Sequence, residues 1–281
     1  VELRDQRLVL VGVDQAVARL AGQQAPVEGF AQGAQCRHRA ATALVQDGLD
    51  VAYVFRDKTA PSGVALIFVG GDGENSIAVA SGANFCLISA DVEKAMQTIG
   101  EFDALLMQLE TPLETIYTAA KIASYQDAKV LLNPAPAQVL EKDLLELVDV
   151  LLPNEYEVAM MTGVALQSPA DTRRAAKKLL SLGTKNLIVT MGSHGALLFD
   201  GKTNQEAFIP ACLVQAVDST AAGDCFVGAL AVGLCEGKSL PSAARFASAA
   251  AALSVTRAGA QPSLPYRQEV DQFIENRSKA L

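Results

Sequence analysis

The sequence predicts an α/β fold in three layers (α/β/α), with helices on both faces of a mostly parallel central sheet. Three observations carry that expectation. Apolar runs of about five residues alternate with amphipathic stretches of about ten or more, the rhythm of strand and crossover helix. The runs are nearly continuous in apolar character, as strands buried on both faces must be. Half of the residues are hydrophobic and 19% are charged, with no Trp, which is the balance of a globular chain and not of a disordered one. A chain of 281 residues can bury a substantial core, so residues 1–281 are expected to form a single α/β domain with a small appendage.

Taken in order, the strand candidates are Leu8–Gly12, Ala104–Gln108, Val130–Asn133, Val148–Leu152 and Asn186–Thr190. The helix candidates are Leu113–Gln126, Ala170–Leu182, Ala222–Glu236 and Leu240–Thr256. One segment breaks the rhythm. Gly63–Val69 and Ser76–Ala80 flank a polar turn that reads Gly-Gly-Asp-Gly-Glu-Asn, a hairpin signal. Neither a Lys-Ser/Thr pair nor a helix follows those glycines, so a plain turn is expected there and not a phosphate loop.

Composition narrows the partners. The formal net charge is −8 with no basic cluster, which argues against nucleic acid. The opening residues Val1 to Asp5 lack the apolar core of a signal peptide. The apolar run Phe246–Val255 is too short to cross a bilayer and reads as a buried helix. The five Cys are scattered, with no C-x-x-C pair, as in a reduced, cytoplasmic protein. A small-molecule substrate, no nucleic acid and no membrane are therefore expected.

The stretch 214–226 reads Val-Gln-Ala-Val-Asp-Ser-Thr-Ala-Ala-Gly-Asp-Cys-Phe. A strand-like start passes through small residues into a long apolar helix. Small residues at a helix N-terminus let backbone N–H groups approach an anion, and the helix dipole favours negative charge there. Asp224 then falls in the first turn, beside the same anion site. A carboxylate is awkward in that place unless it accepts a proton during reaction. Phosphoryl transfer to an alcohol requires such a pair: a base for the hydroxyl and donors for the phosphoryl oxygens. The alternative is an ordinary first-turn acid with a packing glycine beside it.

The run Asp218 to Asp224 resembles the C-terminal signature of the ribokinase family of sugar kinases. Asn154-Glu155-Tyr156-Glu157 resembles the family's N-x-x-E motif, residues 189–195 its strand and turn at the nucleotide, and residues 255–263 its loop over adenine and a monovalent cation. Gly63–Val69 with Gly82-Ala83-Asn84, Met107-Gln108-Leu109-Glu110 and residues 133–137 resemble the ribokinase branch itself. The resemblance runs from about Ala41 to the C-terminus.

By that resemblance, Asp224 is the general base, the N–H groups of Ala221, Ala222 and Gly223 form an anion hole, and Glu110 faces the sugar. ATP is the donor. Asn154, Thr190, Gly192, Ser193 and Ser248 belong to its site, and Glu157 holds Mg²⁺ through water. Asp218, Thr220, Ser254, Arg257, Gly259 and Ser263 surround an activating K⁺. The acceptor it implies is D-ribose, phosphorylated to D-ribose 5-phosphate. Members often dimerise through their lid strands, so a homodimer is a further expectation.

Other readings stay open. Asn154 after Pro153 is also a helix N-cap, with Glu157 completing a capping box, and Glu110 is also an ordinary loop acid. His38 and His194 have no nucleophile or metal-ligand partner in the pattern, and Cys225 reads as a small core residue. A fructose, hexose or nucleoside kinase fits the same motifs, as does a nucleotide-binding protein without turnover.

The first forty residues depart from the family. Its Asn-x-Asp sugar grip, further lid strands and Gly-Gly loop are missing between Gly12 and Val13, a gap of about thirty residues, the length of two or three strands with turns. Residues 33–35 read Gly-Ala-Gln where members carry Gly-Asp-Asp. The lid expected around residues 51–81 is accordingly a shortened one. Either a segment is missing from an otherwise ordinary kinase, or the protein has lost its grip on the sugar. The retained Asp224, anion hole, Asn154/Glu157 pair and cation loop favour the first.

Overall fold

The computed structural model describes residues 8–11, 27–30, 44–55, 57–69 and 75–279. Its strands are β1 (Leu8–Val11), β2 (Val27–Phe30), β3 (Leu49–Asp50), β4 (Val64–Val69), β5 (Asn75–Ala80), β6 (Ala104–Met107), β7 (Lys129–Leu132), β8 (Val150–Leu151), β9 (Asn186–Thr190), β10 (Ala196–Asp200) and β11 (Gln205–Ile209). Nine of them form one sheet in the order β11-β10-β9-β8-β7-β6-β1-β2-β3. Pairing is parallel from β9 through to β3, and β10 runs antiparallel to both of its neighbours.

The parallel strands are apolar on both faces because helices cover both. Within β6, Ala104 and Leu106 join one core and Leu105 and Met107 the other, all buried. The first core is closed by α6 (Ala222–Cys235), α7 (Leu240–Ser254) and α8 (Arg267–Lys279), through residues such as Leu230, Phe246 and Val270. The second is closed by α1 (Ser89–Ile99), α2 (Leu113–Tyr125), α3 (Lys142–Leu145), α4 (Glu155–Thr162) and α5 (Pro169–Ser181), through Met96, Ile116, Val158 and Leu179 among others. Three layers result, as the apolar runs predict. Where α6 and α7 meet, a Cβ on Gly233 would come within 3.1 Å of the Ala243 Cβ, so any larger residue would force the two helices slightly apart.

The expected strands and helices are present, with ends shifted by one or two residues. Val148–Leu152 narrows to Val150–Leu151. Asp149 supplies the reason: its side-chain carboxylate, and not a strand carbonyl, accepts the Val130 N–H at 2.8 Å. β2 escapes sequence reading because Glu28 and Gly29 interrupt its apolar run, and β3 because it is two residues long. The hairpin forms its own two-stranded sheet, with Val64 opposite Ala80 and Val69 opposite Asn75. Its turn, residues 70–74, lies outside the described residues, as do the junction at 12–26 and the segment 31–43 with the Gly-Ala-Gln substitution and His38. No disulfide joins Cys86, Cys212, Cys225 and Cys235 to one another. Among the described residues no helix is long and apolar enough to cross a membrane.

Candidate active site

The chain grows from β1 toward β3 on one side of the sheet and from β6 toward β9 on the other. The order therefore reverses between β1 and β6. In open α/β sheets such a reversal leaves a crevice at the carboxyl ends of the strands. Glu110 follows β6 there, Asn154 follows β8, and Thr190 ends β9, with Gly192 and Ser193 on the 3₁₀ turn beyond it. Asn154 also bridges to Thr190 beside the sheet.

Asp224 enters from the first turn of α6. Its Oδ1 accepts a hydrogen bond from Gln108 Nε2 at 3.2 Å. Burial raises the Asp224 carboxyl above the ordinary carboxylate range. Glu110 is raised as well, first by burial and then by the charge of Asp224. Glu157 is pushed up to about 7, chiefly by burial, against the lowering effect of the Asn154 backbone N–H and with a further rise from Asp224. Glu110 and Glu157 thus both feel the charge of Asp224. Such crowding is costly unless protons or cations relieve it.

The turn into α6 explains where its amides point. Ala221 sits at the N-cap with φ 60°, the left-handed region, which costs a residue with a Cβ about 1–2 kcal/mol. The Ala222 N–H is engaged, donating to Ser219 O at 3.2 Å. That departs from an anion hole in which all three N–H groups are open. Gly223 is exposed, and a Cβ on it would meet nothing within 4 Å, so the space on its Cα side is open.

Ala222 and Gly223 also border a cleft of about 320 Å³, whose other walls include Thr190, Gly192, Ser193, Phe226 and Ser248. The structure therefore joins the strand–turn after β9, the α6 N-terminus and α7, which are far apart in sequence. The rest of the lining is largely apolar, from loop 211–216 and from Ala251, Ala252 and Val255. Of these, residues 211–213, Ala251 and Ala252 escape sequence reading, since small apolar side chains carry no chemical signal. Ser248 has a structural partner, donating from Oγ to Pro210 O at 3.1 Å. A larger cavity of about 600 Å³ lies elsewhere, beside Glu155, Arg173, His194 and Phe208, and none of the expected site residues lines it.

The expected cation loop is tied together by Asp218. Its Oδ1 accepts from Thr220 N and Oγ1 at 2.9 and 2.7 Å, and its Oδ2 from Gly259 N at 2.8 Å. These donors hold its carboxyl below the ordinary range, the Thr220 hydroxyl foremost. The Val217 and Asp218 N–H groups both donate to Val255 O. Ser254 and Ser263 are buried and spend their hydroxyl protons on Ala251 O and Ala260 O. The Arg257 side chain turns to Glu269 at 2.6 Å, which leaves only its backbone for the loop.

Asn154 and Glu157 do form the capping box: Glu157 N donates to Asn154 Oδ1 at 2.9 Å and Asn154 N to Glu157 Oε2 at 2.8 Å. The cap occupies one oxygen of Glu157, so the helix-start reading is present whatever else the pair does. A prediction follows from its titration. Folding raises the Glu157 pKa from 4.5 to about 7, so the folded state holds that proton more tightly. The stabilisation is complete below pH 4.5 and is lost as pH rises through about 7. Glu157→Gln keeps the cap but not the titration. Without ligands, its melting temperature is expected to gain on that of the unaltered protein as pH rises across this window, which thermal melts would detect.

Comparison with known proteins agrees with the fold. The family model for pfkB family carbohydrate kinases matches residues 14–267. A ribokinase from Haemophilus influenzae is 42% identical over 234 residues, spanning 83% of this chain and 76% of its own. The solved ribokinase of Thermotoga maritima superposes with a TM-score of 0.80 at 35% identity, covering 94% of this chain and 85% of that one. The Arabidopsis thaliana ribokinase complexed with ribose and ATP gives a TM-score of 0.85 at 26% identity, covering 97% and 99%. This chain belongs to the pfkB family of carbohydrate kinases.

Proposed function

We propose that the chain transfers the γ-phosphoryl group of ATP to the 5-hydroxyl of D-ribose, with Asp224 as the general base. The observation that carries this reading is the Asp224 carboxyl in the first turn of α6, directly after Gly223, which borders the cleft. The largely apolar far wall suits a purine ring, and the α6 N-terminus suits the phosphates. Glu110, across from Asp224, is the sugar contact in this reading.

The acid cluster fits a divalent cation. Glu157 is 6% exposed and crowded by Asp224, a place where positive charge lowers the cost of ionisation. Glu157 with Asn154 would hold hydrated Mg²⁺, which when bound offsets the charge of the β- and γ-phosphates. The loop closed by Asp218 fits a large monovalent ion, since its groups are oxygens of carbonyls, hydroxyls and one carboxylate. There K⁺ would brace the turn that carries Ala221 to Gly223.

The test is ADP release from ATP and Mg²⁺, with and without ribose and with and without K⁺. Release is expected to require ribose and to rise when K⁺ is supplied. A panel of fructose, other hexoses and nucleosides in place of ribose tests the acceptor. ATP binding with no sugar-dependent ADP release would overturn the proposal.

A further inference from the structure

We propose that Gln108 is a positioning residue for this transfer, holding the Asp224 carboxylate in the orientation and charge state of a base. The inference rests on the reading of Asp224 given above.

Gln108 directly follows β6, beside the reversal in strand order. Its neighbours Met107 and Leu109 are buried in the core under α1 and α2. Their backbones are pinned: Asn133 N donates to Met107 O at 2.9 Å, and Leu109 N to Ala135 O at 2.8 Å. Side chains alternate across an extended segment, so residue 108 is sent to the opposite face, where α6 begins. There Nε2 reaches Asp224 Oδ1. Only the NH₂ end of the amide can serve, because an ionised carboxylate offers acceptors alone.

The setting makes that bond matter. Among the described residues, the charged groups facing Asp224 are Glu110, from the segment after β6, and Glu157, from α4, and both are acidic. Among the described residues no Lys, Arg or His forms an ion pair with Asp224, and the Gln108 amide is its one side-chain hydrogen-bond donor. A neutral donor favours the ionised form without neutralising it. It also engages Oδ1, which leaves Oδ2 to receive the hydroxyl proton.

Two variants test the proposal. Gln108→Met keeps the length and removes the donor; Gln108→Glu keeps the shape and adds a carboxylate. In both, the acid limb of the kcat/KM profile for the sugar is expected to move to higher pH, further in Gln108→Glu. The rate near neutrality should fall about ten- to a hundredfold, the worth of a hydrogen bond to a charged group. Raising the pH should restore part of the rate in Gln108→Met, while ATP affinity measured without sugar stays put. If one variant fails to fold, the other carries the same reading. A pH profile that does not move, whether or not the rate falls, overturns the role of Gln108. Absence of sugar-dependent ADP release from the unaltered protein overturns the kinase reading and this role with it.

Discussion

Asp224→Ala is expected to lower sugar-dependent ADP release by about 10²–10⁴-fold, the usual contribution of a positioned general base, while ATP still binds. The separation follows from the layout. Asp224 follows Gly223 of the cleft wall but is not itself part of the lining, so removing it takes away the proton acceptor and leaves the walls. Its stability effects largely offset one another. A first-turn acid at a helix N-terminus is worth about 0.3–1 kcal/mol, but its removal also relieves the mutual repulsion with Glu110 and Glu157 and the burial of a charge. A fold that stays intact with chemistry lost is therefore the expected pair of results, read by thermal melts, ATP calorimetry and a coupled ADP assay. Unchanged ADP production would remove the base from the mechanism.

How far the sequence reveals this site depends on what each residue leaves written in its neighbourhood. The doubly buried strands are legible because apolar side chains must fill both cores, as Ala104 to Met107 do. Asp224 and Gly223 are legible because a small-residue turn before an apolar helix is a specific electrostatic device. Gln108 is legible only as part of the stretch 107–110, with no role of its own. An amide beside a strand has no chemical signature until the partner Asp224, 116 residues away, is placed against it. The apolar cleft wall was missed for a related reason: its residues matter through shape. β11 was missed because its residues 205, 206 and 208 are exposed at the sheet edge, so no apolar run marks it. Asn154 and Glu157 show the opposite case, where one motif supports two readings and the structure satisfies the capping one by direct hydrogen bonds.

Gly223→Val separates a site argument from a stability argument more cleanly than any loss of a functional group. A Cβ at 223 meets no atom within 4 Å beyond its own helix turn and chain neighbours, and the backbone there has no positive φ. Nothing in the fold itself therefore demands glycine. A helical glycine is, if anything, a liability, costing up to about 1 kcal/mol relative to alanine. Valine should leave the melting temperature close to that of the unaltered protein, and alanine should raise it slightly. The cleft that Gly223 borders is where the proposed mechanism puts the transferred phosphoryl group, and a branched side chain would reach into it. Turnover should then fall about 10²–10³-fold, as when one oxyanion donor is lost, with alanine intermediate between glycine and valine. The empty space at 223 has no structural use, so its value to the protein has to lie in what enters it. Full activity in a well-folded Gly223→Val protein would mean that the phosphates bind elsewhere, and the alignment of base, amide and cleft would lose its chemical meaning.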